Sequence, residues 1–597
     1  MGKFVLKERT VSNQYNVVQK VLETRDIQDM EQFLNPNDSK DLNFWEVRNV
    51  MDGIRRLVGS IANKFKIGIV VDPDADGYTS ASIMYQYLKR LDPDIEIDYY
   101  FHDAKTHGLT DKIISQVVKS NPGLLIVPDA GSNDIGAIEK LEKTHKIRVL
   151  VIDHHEIEDG KVTASGVILN NQNNGNINAN PKLVGAGMVL RFCQAYDETY
   201  GHDYSKGLED LAAVGQVGDA SDISDPEIRN IVFTGLANIK NKFLTEVLTS
   251  QFGSVENIAP IDLSFSIIPL INAVARVGKM SEKETLFIAL NDINLPETMI
   301  VTKKRKDKQT GKFNMVDETT TPYAHIADLC QKVKTRQNSA VKKIMTAMSG
   351  DRLMNLGLVI GFTERMKEGS VTGLVANKLA QKYQKPAFVL IKDEYNGEPH
   401  YLGSGRGWDK ILPSLKDWAN ETKLVTFAQG HANAFGIAIP ENKLDQFIDK
   451  VKAIEFPEEI VYEVDVWMDK SVDRETIDAL YENKHLFGGK VTEPLIGVSN
   501  LEVKTADIRV RGGLVTFYKS GVELIIYAAS LELIEQLTTG FNSGFVINAV
   551  GKAGENNWGG SKTTQIVVSD IFIGESPEKE NNGTFGSNGV DNLPLIF

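Results

Sequence analysis

Two acidic clusters about eighty residues apart could do chemistry: Asp72-Pro-Asp-Ala-Asp-Gly77 and Val151-Ile-Asp-His-His155. Each follows aliphatic residues of the kind that form a buried strand, Ile67–Val71 and Val149–Ile152. Three carboxylates within five residues repel one another unless cations sit among them. Asp153, followed by His154 and His155, adds oxygen and imidazole ligands. Two more acids close apolar runs in the same way, Asp129 after Leu124-Leu-Ile-Val127 and Asp219 after Ala212-Ala-Val-Gly-Gln-Val-Gly218. A single acid after a strand is commonly a helix cap, but four segments ending alike describe a site for hard cations. Oxygen ligands with one or two imidazoles favour Mn2+ or Mg2+ over thiolate-seeking metals. Two such ions, about 4 Å apart, activate a shared water and clamp the attacking and leaving oxygens of a phosphodiester. No Ser-His-Asp or Cys-His arrangement offers a covalent route, and Cys193 and Cys330 are the only cysteines.

Such acids need a parallel sheet to position them, because in these sheets the working residues sit at the carboxyl ends of the strands. From Lys66 onward strands and helices alternate: strand Ile67–Val71, helix Ser80–Leu91, then strands Ile95–Tyr100, Leu124–Pro128 and Val149–Ile152. Ala81, Met84, Leu88 and Leu91 recur at helical spacing. The expected fold class is α/β, with a helical segment over 1–65, a parallel-sheet domain over 66–235 and a helical linker over 236–350. A second α/β domain over 351–456 and a small β-barrel over 457–573 follow. The last stretch, 574–597, is rich in Glu, Asn, Gly and Ser and is expected to be a flexible tail.

The net charge of −14 argues weakly against a nucleic-acid partner, since phosphate contacts draw on Lys and Arg. Charge is unevenly spread, however: Lys303-Lys-Arg-Lys-Asp-Lys308, with Lys312 nearby, is strongly basic. That run reads either as a solvated loop or as a groove-edge contact to a polynucleotide backbone. No stretch approaches the roughly 18 apolar residues of a membrane span, and the first residues lack the apolar core of a signal peptide. A cytoplasmic protein without membrane contact is expected.

Further segments carry a family resemblance. They are Leu183-Val-Gly-Ala-Gly-Met188, Arg229-Asn-Ile-Val-Phe-Thr-Gly-Leu236, Pro269-Leu-Ile-Asn-Ala-Val-Ala-Arg276, Gly403-Ser-Gly-Arg406, Gly430-His431 and Leu486-Phe-Gly-Gly489 with Glu493-Pro494. With the acidic motifs, and in this order, the chain resembles the RecJ-like single-strand-specific exonucleases of the DHH/DHHA1 phosphoesterase superfamily, nearly end to end. The resemblance implies a 5′-to-3′ exonuclease releasing 5′-mononucleotides from single-stranded DNA, in repair, recombination or replication. It implies Asp74, Asp76, Asp129, Asp153, His154 and Asp219 as ligands of two Mn2+ or Mg2+ ions. Asp72 stands where other branches of the superfamily carry His, and His155 stands beside the reacting phosphate.

In the second α/β domain, similar to DHHA1, Ser404 and Arg406 match positions that hold a terminal 5′ phosphate. A hydroxyl with a guanidinium suits a phosphate monoester. His431 matches a Gly-Gly-His motif facing the metals, with Gln429 replacing its first Gly. The family's Arg ahead of a Gly-Tyr-Gly turn is missing from His102-Asp-Ala-Lys-Thr-His-Gly108, so His102 or Lys105 would stand in and 5′-phosphate dependence stays open. Arg276, with Asn272 near it, contacts phosphate or forms a structural ion pair. The barrel resembles an OB fold whose strand-binding face would draw on Phe517, Tyr518, Lys519, Arg509 and Arg511. The terminus Asp591-Asn-Leu-Pro-Leu-Ile-Phe597 resembles the partner-docking tails of single-strand-binding proteins, or is an apolar plug on this chain. Expected partners are single-stranded DNA and a single-strand-binding protein or helicase, with the enzyme a monomer in a bacterial or phage-infected cell. Two rivals are a phosphodiesterase of oligoribonucleotides or cyclic dinucleotides, and a non-catalytic replication scaffold.

Overall fold

The computed structural model describes residues 3–573 apart from 13–15, 26, 28, 37–43, 104–105, 158–164, 174–175, 177–178, 307–310, 312, 348–358, 363–370, 384, 409–411, 455–460, 489–490, 528, 530, 540–544 and 559–560. The chain forms two compact units, 31–454 and 1–30 with 455–597.

At the centre of the first unit is a five-stranded sheet in the order Ile97–Phe101, Ile67–Val71, Leu124–Pro128, Arg148–Asp153, Val167–Asn170. Every neighbouring pair is parallel. Continuous aliphatic runs make such strands because both faces are covered. Ile67, Ile69 and Val71 pack into one core while Val70 joins Leu125, Val127, Val149 and Val151 in the core on the opposite face. That alternation leaves Asp72, Asp129 and Asp153 at the carboxyl ends of three neighbouring strands. The register Pro128↔Ile152 brings Asp129 beside Asp153.

Three helices complete the floor of the site: Ala75–Leu91, Gly185–Tyr200 and Glu209–Gly218. A fourth apolar stretch, Pro260–Val277, is broken at Ser266 into Pro260–Phe265 and Ile267–Val277. Its composition would suit a membrane, yet Ile267, Leu270, Ile271 and Val274 are buried in the main core.

The linker region holds more than helices. Met299–Lys306 and Phe313–Thr320 pair as an antiparallel hairpin between helices Met280–Asn291 and Pro322–Ala347. The basic run is therefore largely strand, because Met299-Ile-Val-Thr302 starts it with residues that favour extended backbone.

The second sheet runs Phe427–His431, Ala434–Pro440, Glu398–Arg406, Ala387–Tyr395, Val359–Phe362. Only its last pair is parallel. Helix Thr372–Tyr383 packs on it through Val375, Ala376 and Leu379.

The other unit corrects two expectations. Residues 3–12, expected to be helical, form a strand parallel to Val461–Asp469. Arg25 ties the same region to Asp465 by a 2.9 Å ion pair. The expected barrel is instead an open eight-stranded sheet, from Lys3–Ser12 at one edge to Arg509–Arg511 at the other, with no closing pair among the described residues. Phe517, a candidate for a strand-binding face, is a core residue, whereas Tyr518 is exposed with the Arg509 guanidinium 5.9 Å from its ring centroid. Residues 574–597, and with them the expected tail, lie outside the described residues.

Candidate active site

Asp74 caps helix Ala75–Leu91 by accepting a hydrogen bond from the Gly77 amide at 3.1 Å. Glycine is required at 77 because a Cβ there would lie 2.5 Å from the Asp72 Cβ. The cap turns Asp76 inward, where its two oxygens accept the amides of Gly185 and Ala186, both at 2.8 Å. Those amides open helix Gly185–Tyr200, so its positive end faces a carboxylate. Asn272 Oδ1 accepts the Ala75 amide at 3.0 Å and fixes the same turn from helix Ile267–Val277.

His154 is the hub. Its Nε2 lies 3.1 Å from Asp129 Oδ1, 3.7 Å from Asp76 Oδ2 and 3.9 Å from Asp219 Oδ2. Asp129 reaches it from a left-handed backbone with φ of 63°. Three sets of ligand atoms each lie within 4.8 Å of one another: Asp129, His154 and His155; Asp76, His154 and Asp219; Asp72, Asp74 and His107. Asp153 is placed differently. One oxygen accepts the Ser132 amide, and the other accepts the amides of His154 and His155 and faces the His155 ring at 2.7 Å. That carboxylate shapes the turn which presents the two histidines.

The electrostatics follow from crowding acids in a dry space. Burial, then Asp219 and Asp74, push the Asp76 carboxyl up to about 7. Burial and the charges of Asp76, Asp74, Asp72 and Asp219 hold Asp129 well above the carboxylate range. Burial would raise Asp219 too, but the adjacent His431 and His154 imidazoles outweigh it and hold that carboxyl low. The Asp219 carboxylate in turn raises His431, whose Nε2 is 3.6 Å from its Oδ1. Burial lowers His154. His155 would be lowered by burial, but its bond to Asp153 and that charge push it to about 10.

A divalent pair fits this donor set. Buried Asp129 Oδ1 meets only the His154 ring, without a well-formed hydrogen bond, and unscreened carboxylates in a desolvated pocket gain most from cations.

A second group is basic. Ser404 Oγ lies 2.8 Å from Thr372 Oγ1, at the start of helix Thr372–Tyr383. Arg406 reaches the same turn: a Cβ on Gly373 would lie 2.6 Å from its Nη2 and 3.5 Å from Ser404 Oγ. Burial and the nearby Arg276 charge lower Arg406 to about 10. Arg276 is itself lowered by burial, with Asp74 opposing, and its Nε is buried without a partner. Two desolvated guanidiniums, two hydroxyls and a helix start are groups that could hold an anion.

His102 is not part of it. The side chain is buried, its Nε2 faces Asp72 Oδ1 at 3.7 Å, and its carbonyl accepts a bond from the buried Lys283. A turned-in ring cannot greet a substrate as the expected stand-in for arginine; Lys105 lies outside the described residues. The residue that sequence reasoning missed is His107, whose Nδ1 bonds to the Asp72 carboxylate. Its signal was the following glycine: Gly108 has φ of 68° and donates its amide to Asp72 at 3.2 Å.

The profile of the DHH family N-terminal domain matches residues 66–216, and that of the DHHA1 domain matches residues 356–455. YorK of Bacillus subtilis strain 168, a prophage-derived chain assigned as a single-strand DNA-specific exonuclease, is 32% identical over 581 residues, covering 95% of this chain and 98% of YorK. The chain belongs to the RecJ-like branch of the DHH/DHHA1 family. The single-stranded-DNA-specific exonuclease RecJ of the same organism is 24% identical over 564 residues, which span 91% of this chain and 66% of RecJ. The fold agrees with the crystal structure of RecJ from Thermus thermophilus in complex with Mn2+, at a TM-score of 0.68 and 18% identity, covering 93% of this chain and 76% of that one.

Within this RecJ-like frame, Gly185 lies tight against the site, since a Cβ there would stand 2.3 Å from Asp129 Oδ1. Gly185→Ala is expected to push Asp129 off His154 and cost roughly 1–3 kcal/mol of stability, as overpacking does. Denaturant melts of the purified variant check this; an unchanged midpoint would remove Gly185 from the argument.

Proposed function

We propose that the protein is a metal-dependent exonuclease that hydrolyses single-stranded DNA from the 5′ end to 5′-mononucleotides. One observation carries the reading. The acids gathered around His154 share one compact unit with the cluster of Ser404, Arg406 and Thr372, and the buried Arg276, whose Nε has no hydrogen-bond partner, lies within electrostatic reach of both Asp74 and Arg406. A terminal phosphate monoester bound by the guanidiniums sets the first phosphodiester against the acids, which favours cleavage from an end.

Asp72, Asp74, Asp76, Asp129, His154 and Asp219 would hold two Mn2+ or Mg2+ ions. When bound, such ions supply a nucleophilic hydroxide and neutralise charge on the phosphate. The chain's own groups bind and orient. Arg406 and Ser404 fix the end of the strand. His155 keeps its proton at neutral pH because Asp153 stabilises it, and offers a hydrogen bond to a phosphate oxygen. His431, held by Asp219, supplies a second donor from the other domain. Asp153 keeps the histidine pair in place.

YorK and RecJ, to which this chain is similar over most of its length, support the DNA substrate. Length tells against a dinucleotide phosphodiesterase, because 98% of YorK is matched, including the unit beyond the DHHA1 domain. The presence of all these acids and of both histidines tells against a non-catalytic scaffold. We place the enzyme in the cytoplasm, as a monomer acting in repair, recombination or replication with a single-strand-binding protein or helicase.

The test is a long single strand carrying a label at one end, incubated with Mn2+ or Mg2+. Label at the 5′ end is expected in the first mononucleotides released, and label at the 3′ end in a shrinking ladder. Internal cuts, or label lost first from the 3′ end, would overturn the reading. Arg406→Ala is expected to slow cleavage of 5′-phosphorylated strands about 10- to 100-fold, the loss of one charge-assisted pair. Strands with a 5′ hydroxyl should lose little; an equal loss on both would remove Arg406 from end recognition.

A further inference from the structure

The basic run at Lys303–Lys308 has no part in the site. It lies mostly on the hairpin Met299–Lys306 and Phe313–Thr320, whose two strands form a sheet of their own. The register divides the hairpin's side chains between two faces. On one face Val301 is buried, Lys303 pairs with Asp328 of the next helix at 3.0 Å, and Arg305 pairs with Glu318 at 2.6 Å. That face is anchored and its charge is neutralised.

The opposite face is open to solvent, with one acid, Asp317, held by the Thr302 hydroxyl at 2.7 Å nearer the root. Lys304 stands across from Met315, and Phe313 lies two residues nearer the turn. The Lys304 ammonium is 4.9 Å from the centre of the Phe313 ring. Phe313 is 59% and Met315 67% exposed. Residues 299–320 carry six Lys or Arg against three acids, in a chain whose net charge is −14.

This charge selects the occupant. A local cationic excess in an acidic protein complements a polyanion, and an open aromatic ring beside an ammonium lets a base stack while a phosphate meets the cation. We infer that the Lys304, Phe313 and Met315 face is an accessory site for single-stranded polynucleotide. It engages the strand away from the acids, and it rests on the exonuclease reading above for the identity of that strand.

The root of the hairpin sets the separation. Asn291, at the end of the preceding helix, donates to Ser82 Oγ at 3.1 Å. Ser82 lies eight residues beyond Asp74 along its helix, about 12 Å at the helical rise. Each hairpin strand of eight residues is itself up to about 27 Å long. A strand of a few nucleotides is expected to fill the acids without meeting the hairpin, and a long one to meet both.

The experiment compares the full-length enzyme with Phe313→Ala and with Lys304→Glu on two substrates. One is a strand of about 4 nucleotides, and the other is well beyond the roughly 16 nucleotides a large single-strand site covers. For each variant KM on the long strand is expected to rise about tenfold at unchanged kcat, with a shallower salt dependence for Lys304→Glu. Both constants on the short strand should stay at the parent value, which also reports that the variants are folded. Unchanged KM on the long strand overturns the accessory site while leaving the exonuclease reading intact, as does an equal rise on both substrates. Loss of binding to an added protein, with KM for DNA unmoved, overturns it in favour of a protein-docking face. Absence of cleavage of either strand by the parent enzyme would instead sink the exonuclease reading.

Discussion

Asp129→Asn is expected to abolish hydrolysis while making the metal-free protein harder to melt. The two effects share one cause. Asp129 is buried among Asp72, Asp74, Asp76 and Asp219, and their charges with its burial hold its carboxyl far above the usual range. Asn keeps the shape and tolerates the left-handed backbone at φ of 63°, which Asn adopts more readily than most residues. It removes a charge that cations would otherwise balance, so the empty pocket gains stability on the order of 1–3 kcal/mol. The loss of one carboxylate from the set that would hold the metal is expected to slow cleavage by about 10³-fold or more, roughly 4 kcal/mol of barrier. Melting in EDTA at pH 8, beside an activity assay in Mn2+, reads both. Wild-type activity, or a lower melting temperature without metal, would defeat the argument.

The second large effect is a stability profile whose slope metal flattens. Asp76 titrates near 7 in the folded protein against 3.8 as its reference. A group whose folded value is raised binds its proton more tightly when folded, so its contribution to stability is present at low pH and lost as pH climbs from about 4 to 7. Three pH units at one site correspond to roughly 4 kcal/mol. Asp129 acts in the same direction. His154 opposes them below about pH 6.5, because burial lowers its value and the unfolded chain takes up that proton first. His155 adds stability that is complete below about 6.5 and lost on the way to about 10. The carboxylates outweigh His154, so the EDTA-treated protein is expected to melt higher at pH 5 than at pH 8. Saturating Mn2+ should raise melting at pH 8 by about 2.7 kcal/mol equivalent at a hundredfold excess over Kd. At pH 5 protons compete for the same oxygens and the gain should shrink. Equal metal-induced shifts at both pH values would show that these acids are not the ligands.

Much of the site is legible locally. Ile67–Val71 and Leu124–Pro128 are short aliphatic runs buried on both faces, and an acid after each falls at the strand end whatever happens elsewhere. Gly77 and Gly185 mark backbone brought against carboxylates. The hidden parts depend on distant partners. Strand Lys3–Ser12 exists because Val461–Asp469 receives it, more than four hundred residues later. His107 is ordinary in sequence until the turn at Gly108 swings it onto Asp72. His102 reads as available for substrate, but the buried Lys283 holds its carbonyl and the ring turns inward. Phe517 reads as a stacking platform and packs in the core, while its neighbour Tyr518 faces solvent, as alternation along a strand requires.

By itself the sequence determined the chemistry on offer: oxygen and imidazole ligands at the ends of apolar strands, with a guanidinium and a hydroxyl for a phosphate in a later domain. Composition and alternation act over a few residues, so they survive reading in one dimension. Tertiary structure decided which of these groups meet. Only the packed chain makes His154 the shared neighbour of Asp76, Asp129 and Asp219, gives Asp153 a scaffolding geometry, and brings Arg276 within electrostatic reach of Asp74 and Arg406. The reason is physical: charge interactions and desolvation depend on distances in space, and residues far apart in the chain acquire those distances only when the cores close around them.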